Sequence, residues 1–219
     1  MEINRANGYA LAPNALIYWF SLTVLASVYL AYSIFSAPLE QDSWLLWTRY
    51  TARLAFIFFL LSYAAAPLYG LHKNIVTKWL RRNRRNAGLC FGFAHMVHLL
   101  AISGFIAASG EQQPLAVLVV GGFGYILLLA MIATSFDPVI RVMGLRRWGL
   151  LHRFSIHYLA AIFALIYTSG MFAPLPQNAK PPIFSVLIWS LILLRLGMWM
   201  FERKRNGETT NEQSETVRQ

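Results

Sequence analysis

Long apolar stretches separated by short polar segments dominate the sequence. A helix rises 1.5 Å per residue, so about 20 apolar residues are needed to cross the roughly 30 Å hydrocarbon core of a bilayer. Six stretches are long enough, and their predicted bounds are residues 14–36, 52–71, 87–108, 114–135, 149–172 and 182–201. The pattern therefore predicts an all-α integral membrane protein, a bundle of about six transmembrane helices joined by short loops.

The segment that follows the sixth stretch has a different composition. Residues 202–219 are polar and charged and show no apolar periodicity, which is typical of a disordered segment. The sequence thus predicts a six-helix transmembrane domain at 1–201 and a disordered cytoplasmic tail at 202–219. Neither part has room for a nucleotide-binding domain.

Basic residues are concentrated in every second loop, which predicts the orientation of the bundle. The three basic clusters follow stretches two, four and six, and their members are Lys73, Lys78, Arg81, Arg82, Arg84 and Arg85, then Arg141, Arg146 and Arg147, then Arg203, Lys204 and Arg205. Because basic loops stay in the cytoplasm, both termini are predicted to be cytoplasmic. The net charge of +10 is explained by this topology, so no nucleic-acid partner is expected.

Four of the five histidines lie within two of the predicted helices, which makes them the candidate site. His95 and His98 are three residues apart, about 60° around the third helix, whereas His152 and His157 are about 140° apart on the fifth. Ionisable residues inside lipid are costly and usually functional. The third and fifth helices cross the membrane in the same direction, so a histidine from each can bind one haem iron from opposite sides.

Other interpretations of the histidines stay open on residue type alone. Membrane histidines also hydrogen-bond neighbouring helices, as they would in a haem-free scaffold or transporter. A metal transporter would usually add carboxylates within the membrane, and the predicted spans contain none. A direct metalloreductase, in which a haem reduces a metal ion at the outer surface, is a third interpretation.

Several other residues, at characteristic spacings from the histidines, form a recognisable pattern along the chain. Along the chain these are Arg53, Pro67, Arg84, Arg85, Gly88, Leu89, His98, Thr134, Ser135, Gly144, Trp148, Leu151 and His152. In their order and spacing, over roughly residues 47–172, the chain resembles the ferric reductase-like transmembrane domain family. Within that family it is similar to the haem-binding membrane subunit of bacterial periplasmic methionine sulfoxide reductase systems.

The resemblance implies an electron relay in the bacterial inner membrane. One b-type haem, or two, would take electrons from a quinol or a cytoplasmic flavin reductase and deliver them to a periplasmic reductase. A flavin in this chain is not indicated by the sequence. The resemblance places haem iron ligation on His98 and His152, and the positions of the other two membrane histidines add His157 and His95 as candidates. Arg53, Arg84 and Arg85 would contact haem propionates or lipid phosphates.

The chain departs from the family pattern at one position. The family usually has a second histidine thirteen residues after the first in span five, and here that position is Leu165. Counted from the predicted span starts at 1.5 Å per residue, His98 lies about 16 Å deep, His157 about 12 Å and His152 about 4 Å. We therefore expect His95 or His98 to share a haem with His157 rather than with His152.

Overall fold

The protein, here a computed structural model, is described at residues 13–36, 43–110, 112–172 and 182–216. These ranges contain seven helices and no strand: α1 Pro13–Phe35, α2 Ser43–Leu71, α3 Ile75–Ser109, α4 Leu115–Ala133, α5 Asp137–Met143, α6 Leu145–Ser169 and α7 Pro182–Thr216. All except α5 are long and apolar enough to cross a membrane. The predicted all-α bundle with about six spanning helices is confirmed.

Helices α2 and α3 are longer than the sequence pattern predicts and form an antiparallel hairpin. Helix α2 begins at Ser43 rather than at residue 52, and α3 begins at Ile75 rather than at residue 87. Asn74 starts α3 with a capping box: its side chain accepts from the Thr77 N–H at 2.8 Å, and its own N–H donates to the Thr77 hydroxyl at 3.1 Å. The basic segment that was expected to be a loop is therefore the first part of a helix.

Two further segments differ from the prediction. The short helix α5 occupies the basic connection between α4 and α6, with Asp137 and Pro138 in its first turn, where a proline needs no hydrogen-bond partner. Helix α7 continues through residue 202 as far as Thr216, although the sequence predicts disorder there. Glu, Lys, Arg and Gln favour helix, and extending an existing helix avoids the cost of nucleation. Residues 217–219 lie outside the described ranges.

Aromatic side chains fill the space between α2, α3, α6 and α7. The Phe56 ring lies 4.6 Å from Tyr167 and 5.1 Å from Phe163, measured between ring centroids. Phe59 packs against Phe163 at 4.8 Å and against Phe91 at 5.3 Å. This buried cluster connects the two histidine-bearing helices through α2, so side chains on α2 determine where the histidines lie.

Trp44 of α2 lies directly over Gly104 of α3 within the α2–α3 hairpin. A Cβ atom added to Gly104 would overlap the Trp44 ring. That ring cannot move aside easily, because it packs against Phe35 at 5.1 Å and Trp47 at 5.6 Å. The absence of a side chain at residue 104 therefore allows the hairpin to close.

We expect Gly104→Ala to destabilise the folded bundle by about 1–3 kcal/mol, the usual cost of overpacking a tight contact. Thermal unfolding of the detergent-solubilised protein, followed as loss of the monodisperse species, measures the effect. Gly121→Ala is the matched control, since nothing lies within 4 Å of the Cβ added there. Equal midpoints for the two variants would contradict the proposed close contact.

Candidate functional site

The four candidate histidines form two pairs at different depths. His95 and His98 are the α3 pair, and His152 and His157 are the α6 pair. The separation of the two pairs can be measured along α2, because its Thr51 hydrogen-bonds His98 and its Tyr63 hydrogen-bonds His157. Twelve residues separate Thr51 from Tyr63, which is about 18 Å along the helix.

This offset bears on the expected pairing at a single iron. Two axial ligands of one haem must lie level on opposite sides of the porphyrin, and the structure does not bring His98 and His157 to one level. His95 lies 5.7 Å from Phe163, which is six residues, or about 9 Å, beyond His157 on α6. The depth argument from sequence placed them level because it took the start of each apolar stretch as the same height, whereas α3 begins twelve residues before its apolar part.

The α3 pair lies against the buried aromatic cluster. The two rings are 5.3 Å apart, and His95 also stacks on Tyr125 at 5.0 Å with an interplanar angle of 24°. The Nδ1 atom of His95 is buried and has no hydrogen-bond partner among the described residues. A polar atom left in this state costs free energy unless something binds it.

The hydrogen bonds of Thr51 determine which ring nitrogen of His98 carries the proton. The Thr51 hydroxyl donates to the Trp47 carbonyl at 2.7 Å, so its oxygen is left to accept from His98 Nδ1–H at 3.2 Å. The Thr48 backbone is also within reach of His98, and its carbonyl lies 3.1 Å from the Thr51 hydroxyl, so one N–H can serve both. His98 Nε2 therefore keeps a lone pair, with no partner for it among the residues described.

His152 forms its hydrogen bond through Nε2, whereas His98 uses Nδ1. The Thr134 hydroxyl donates to the Ala130 carbonyl at 2.6 Å, so its oxygen accepts from His152 Nε2–H at 3.0 Å. Trp148 stacks 4.6 Å from the His152 ring and donates its indole N–H to the Thr134 carbonyl at 3.0 Å. In this arrangement His152 joins α6 to the end of α4 and does not offer Nε2 to a metal.

His157 lies beside a charged residue that the sequence analysis did not select. Its Nδ1 is 3.2 Å from the Tyr63 hydroxyl, and its side chain is otherwise exposed. Arg195 of α7 donates to the Tyr63 carbonyl from Nη2 at 2.7 Å and from Nε at 3.2 Å, with its guanidinium 4.1 Å from the Tyr63 ring centroid. Arg195 is the only charged residue in the sixth apolar stretch, which was the signal available in the sequence.

The three arginines selected from the sequence have different surroundings. Arg53 is two residues after Thr51 and packs over Tyr50 and Phe184, so it lies near the level of the α3 pair. Arg85 forms an ion pair with Asp137 at 2.8 Å and also donates to the Ser135 carbonyl, which ties α3 to the start of α5.

Two further positions bear on haem binding: Arg84, a candidate contact for a propionate or a lipid phosphate, and Leu165, where the family usually has a histidine. The charge of Arg84 acts on both His152 and Arg195, so Arg84 belongs to the level of the α6 pair. Leu165 is 65% exposed, on a side of α6 away from the buried aromatic cluster. In this arrangement no histidine of α6 lies opposite His98.

The sequence is similar to curated proteins over most of its length. It is 29% identical over 211 residues to the protein-methionine-sulfoxide reductase heme-binding subunit MsrQ of Polaromonas naphthalenivorans, covering 93% of this chain and 92% of that protein. The MsrQ of Klebsiella pneumoniae is 33% identical over 155 residues, which cover 67% of this chain and 73% of that protein. Magnetosome protein MamZ of Magnetospirillum gryphiswaldense is 26% identical over 159 residues, which is 69% of this chain and 23% of MamZ.

No protein-family model and no solved structure matches the chain. The broader resemblance to the ferric reductase-like family therefore stays a prediction, whereas the MsrQ relatives extend over both histidine-bearing helices. The 33% identity to the MsrQ of Klebsiella pneumoniae, over 67% of this chain and 73% of that protein, is high enough to show common family membership. The chain belongs to the MsrQ family, whose curated members are named heme-binding subunits of protein-methionine-sulfoxide reductase.

Proposed function

We propose that the chain is a haem-carrying membrane subunit that relays electrons across the bilayer to a periplasmic reductase. The α3 pair carries the proposal: Thr51 leaves Nε2 of His98 with a free lone pair, and the neighbouring His95 has a buried Nδ1 without a partner. The names of the MsrQ relatives, heme-binding subunits of a reductase for methionine sulfoxide in proteins, support the same function.

The chemistry of the α3 pair suits a haem. Neutral imidazole is a common axial ligand, and a hydrogen bond to its other nitrogen fixes the ring and raises its basicity. Thr51 gives His98 that hydrogen bond, and the rings of Phe91, Tyr125 and Phe163 surround His95 with aromatic contacts. Among the described residues, no group of three or more His, Cys, Asp or Glu side chains is placed to hold a metal ion.

The α6 pair is a candidate for a second haem site, at a different depth from the α3 pair. His157 presents its ring beside Tyr63 and Arg195, whereas His152 is bonded to Thr134 through Nε2. We propose that His98, assisted by His95, serves one level and His157 the other, with two b-type haems in the complete relay. A haem bound at either level supplies a one-electron couple, and its potential is set by the axial ligand, burial and nearby charge.

The basic loops give the relay its direction. By the positive-inside rule both termini and the α6 pair belong to the cytoplasmic half of a bacterial inner membrane, and the α3 pair to the periplasmic half. Electrons would enter from a quinol or a cytoplasmic flavin reductase near the α6 pair. They would leave toward the periplasmic reductase near the α3 pair, beside Arg53.

We expect His98→Ala and His157→Ala each to lower haem per chain more than His152→Ala, because only His152 has its Nε2 hydrogen-bonded to a threonine. Pyridine haemochrome quantification on purified protein, normalised to the monodisperse fraction, measures haem content. Equal retention in all three variants would contradict this assignment of ligands.

We expect Thr51→Val to weaken haem retention about 10- to 100-fold, the usual cost of removing a hydrogen-bond partner of a ligating histidine. Thr51→Ser keeps the hydroxyl and should restore most of the retention. Thr48→Val is the control, since the Thr48 hydroxyl donates to the Trp44 carbonyl at 2.9 Å and its backbone is unchanged. Haem titration of depleted protein gives the affinities; a Thr51→Val variant that matches wild type would remove Thr51 from the site.

A further inference from the structure

Arg195 is a cation inside a spanning helix, and no acidic side chain among the described residues pairs with it. An ion pair joins Arg85 to Asp137, and both lie outside the apolar parts of their helices. The six spanning windows hold no Asp or Glu near Arg195, which lies six residues, about 9 Å, before the end of its span at Phe201. A charge at this depth is costly unless it is paired.

The position of the Arg195 side chain excludes simple extension toward the membrane surface. A long arginine side chain near a helix end usually reaches for the headgroup region. Here the guanidinium lies sideways over the Tyr63 ring and bonds the Tyr63 carbonyl, which is eight residues, about 12 Å, before the end of α2 at Leu71. Arg195 is therefore directed into the bundle, at the level of His157.

The bonds that Arg195 makes leave part of its hydrogen-bonding capacity unused. A guanidinium has five N–H donors in a planar fork. Nε and Nη2 use one N–H each on the Tyr63 carbonyl, and the remaining donors have no acceptor among the described residues. These donors point to an oxygen acceptor that the described residues do not supply.

The surroundings of Arg195 are positively charged. The charge of Arg84 acts on Arg195, and the charges of Arg195 and Arg153 both act on His157. Mutual repulsion of cations in a low-dielectric region raises the free energy of the empty site and favours binding of an anion. The site thus has unused donors, positive charge and an imidazole, and the described residues show no carboxylate bonded to Arg195.

We propose that Arg195 binds a carboxylate inside the bundle, and that this carboxylate is a propionate of the porphyrin held at the level of His157. The inference rests on the haem-carrying function proposed above. A planar guanidinium matches a carboxylate through two parallel hydrogen bonds, and such charge-assisted bonds are the strongest that a side chain makes. A lipid phosphate is the less suitable source, because Arg195 is directed toward Tyr63 and away from the headgroup level.

The test compares two porphyrins that differ only in the carboxylates. Haem-depleted protein in nanodiscs is titrated with ferric protoporphyrin IX and with its dimethyl ester, in which both propionates are neutral. We expect wild type to prefer the free acid about 10- to 100-fold, in line with loss of a charge-assisted pair. Arg195→Gln should lower that preference about tenfold, and Arg195→Lys should keep part of it.

Arg203→Gln is the matched control on the same helix. Arg203 is exposed and packs over Trp199 at 5.3 Å, so its replacement should leave the preference unchanged. If Arg195→Gln keeps the wild-type preference, or weakens both porphyrins equally, the inference is wrong and Arg195 supports the fold alone. Failure of wild type to bind either porphyrin would instead overturn the proposed function.

A second arm separates the two anion sources. The same titrations are run in nanodiscs with and without phosphatidylglycerol. A porphyrin preference that is independent of the anionic lipid supports the propionate. If Arg195→Gln removes only a dependence on phosphatidylglycerol, the partner of Arg195 is a lipid phosphate and the propionate assignment fails.

Discussion

Polar groups inside this bundle must find their partners without water, and α2 supplies the partners of His98, His157 and Arg195. Its Thr51 orients His98, its Tyr63 hydroxyl contacts His157, and its Tyr63 carbonyl holds Arg195. An unsatisfied polar group costs several kcal/mol in lipid, so these contacts determine which rotamers and tautomers the site residues adopt. One helix without a candidate ligand thereby positions one histidine of α3, His98, and one of α6, His157.

The two levels of histidines matter for the proposed function. Imidazole sites about 18 Å apart along α2 would lie in different halves of a membrane that is about 30 Å thick. Electrons crossing the bilayer need carriers at more than one depth, and the buried aromatic cluster of Phe56, Phe59 and Phe163 excludes water between them. The arginines follow the same division, with Arg53 near the α3 pair and Arg84 and Arg195 near the α6 pair.

The sequence predicts the six spans because about 20 consecutive apolar residues have no other stable environment. It also identifies the histidines, since ionisable residues in such stretches are rare. It does not predict relative depth, because the capping box at Asn74 and the helix-favouring basic residues start α3 well before its apolar part. Nor does it predict that Thr134 hydrogen-bonds His152 or that Tyr63 holds Arg195, since these contacts depend on how separate helices pack and no local sequence pattern encodes that packing.

The central claim is that this chain carries a b-type haem, and a spectrum of the purified protein tests it most directly. A reduced-minus-oxidised absorption spectrum in detergent, combined with pyridine haemochrome quantification, identifies the haem type and the amount per chain. We expect a b-type difference spectrum with at least about one haem per chain. A folded, monodisperse preparation that contains no haem after expression with a haem precursor would contradict the claim.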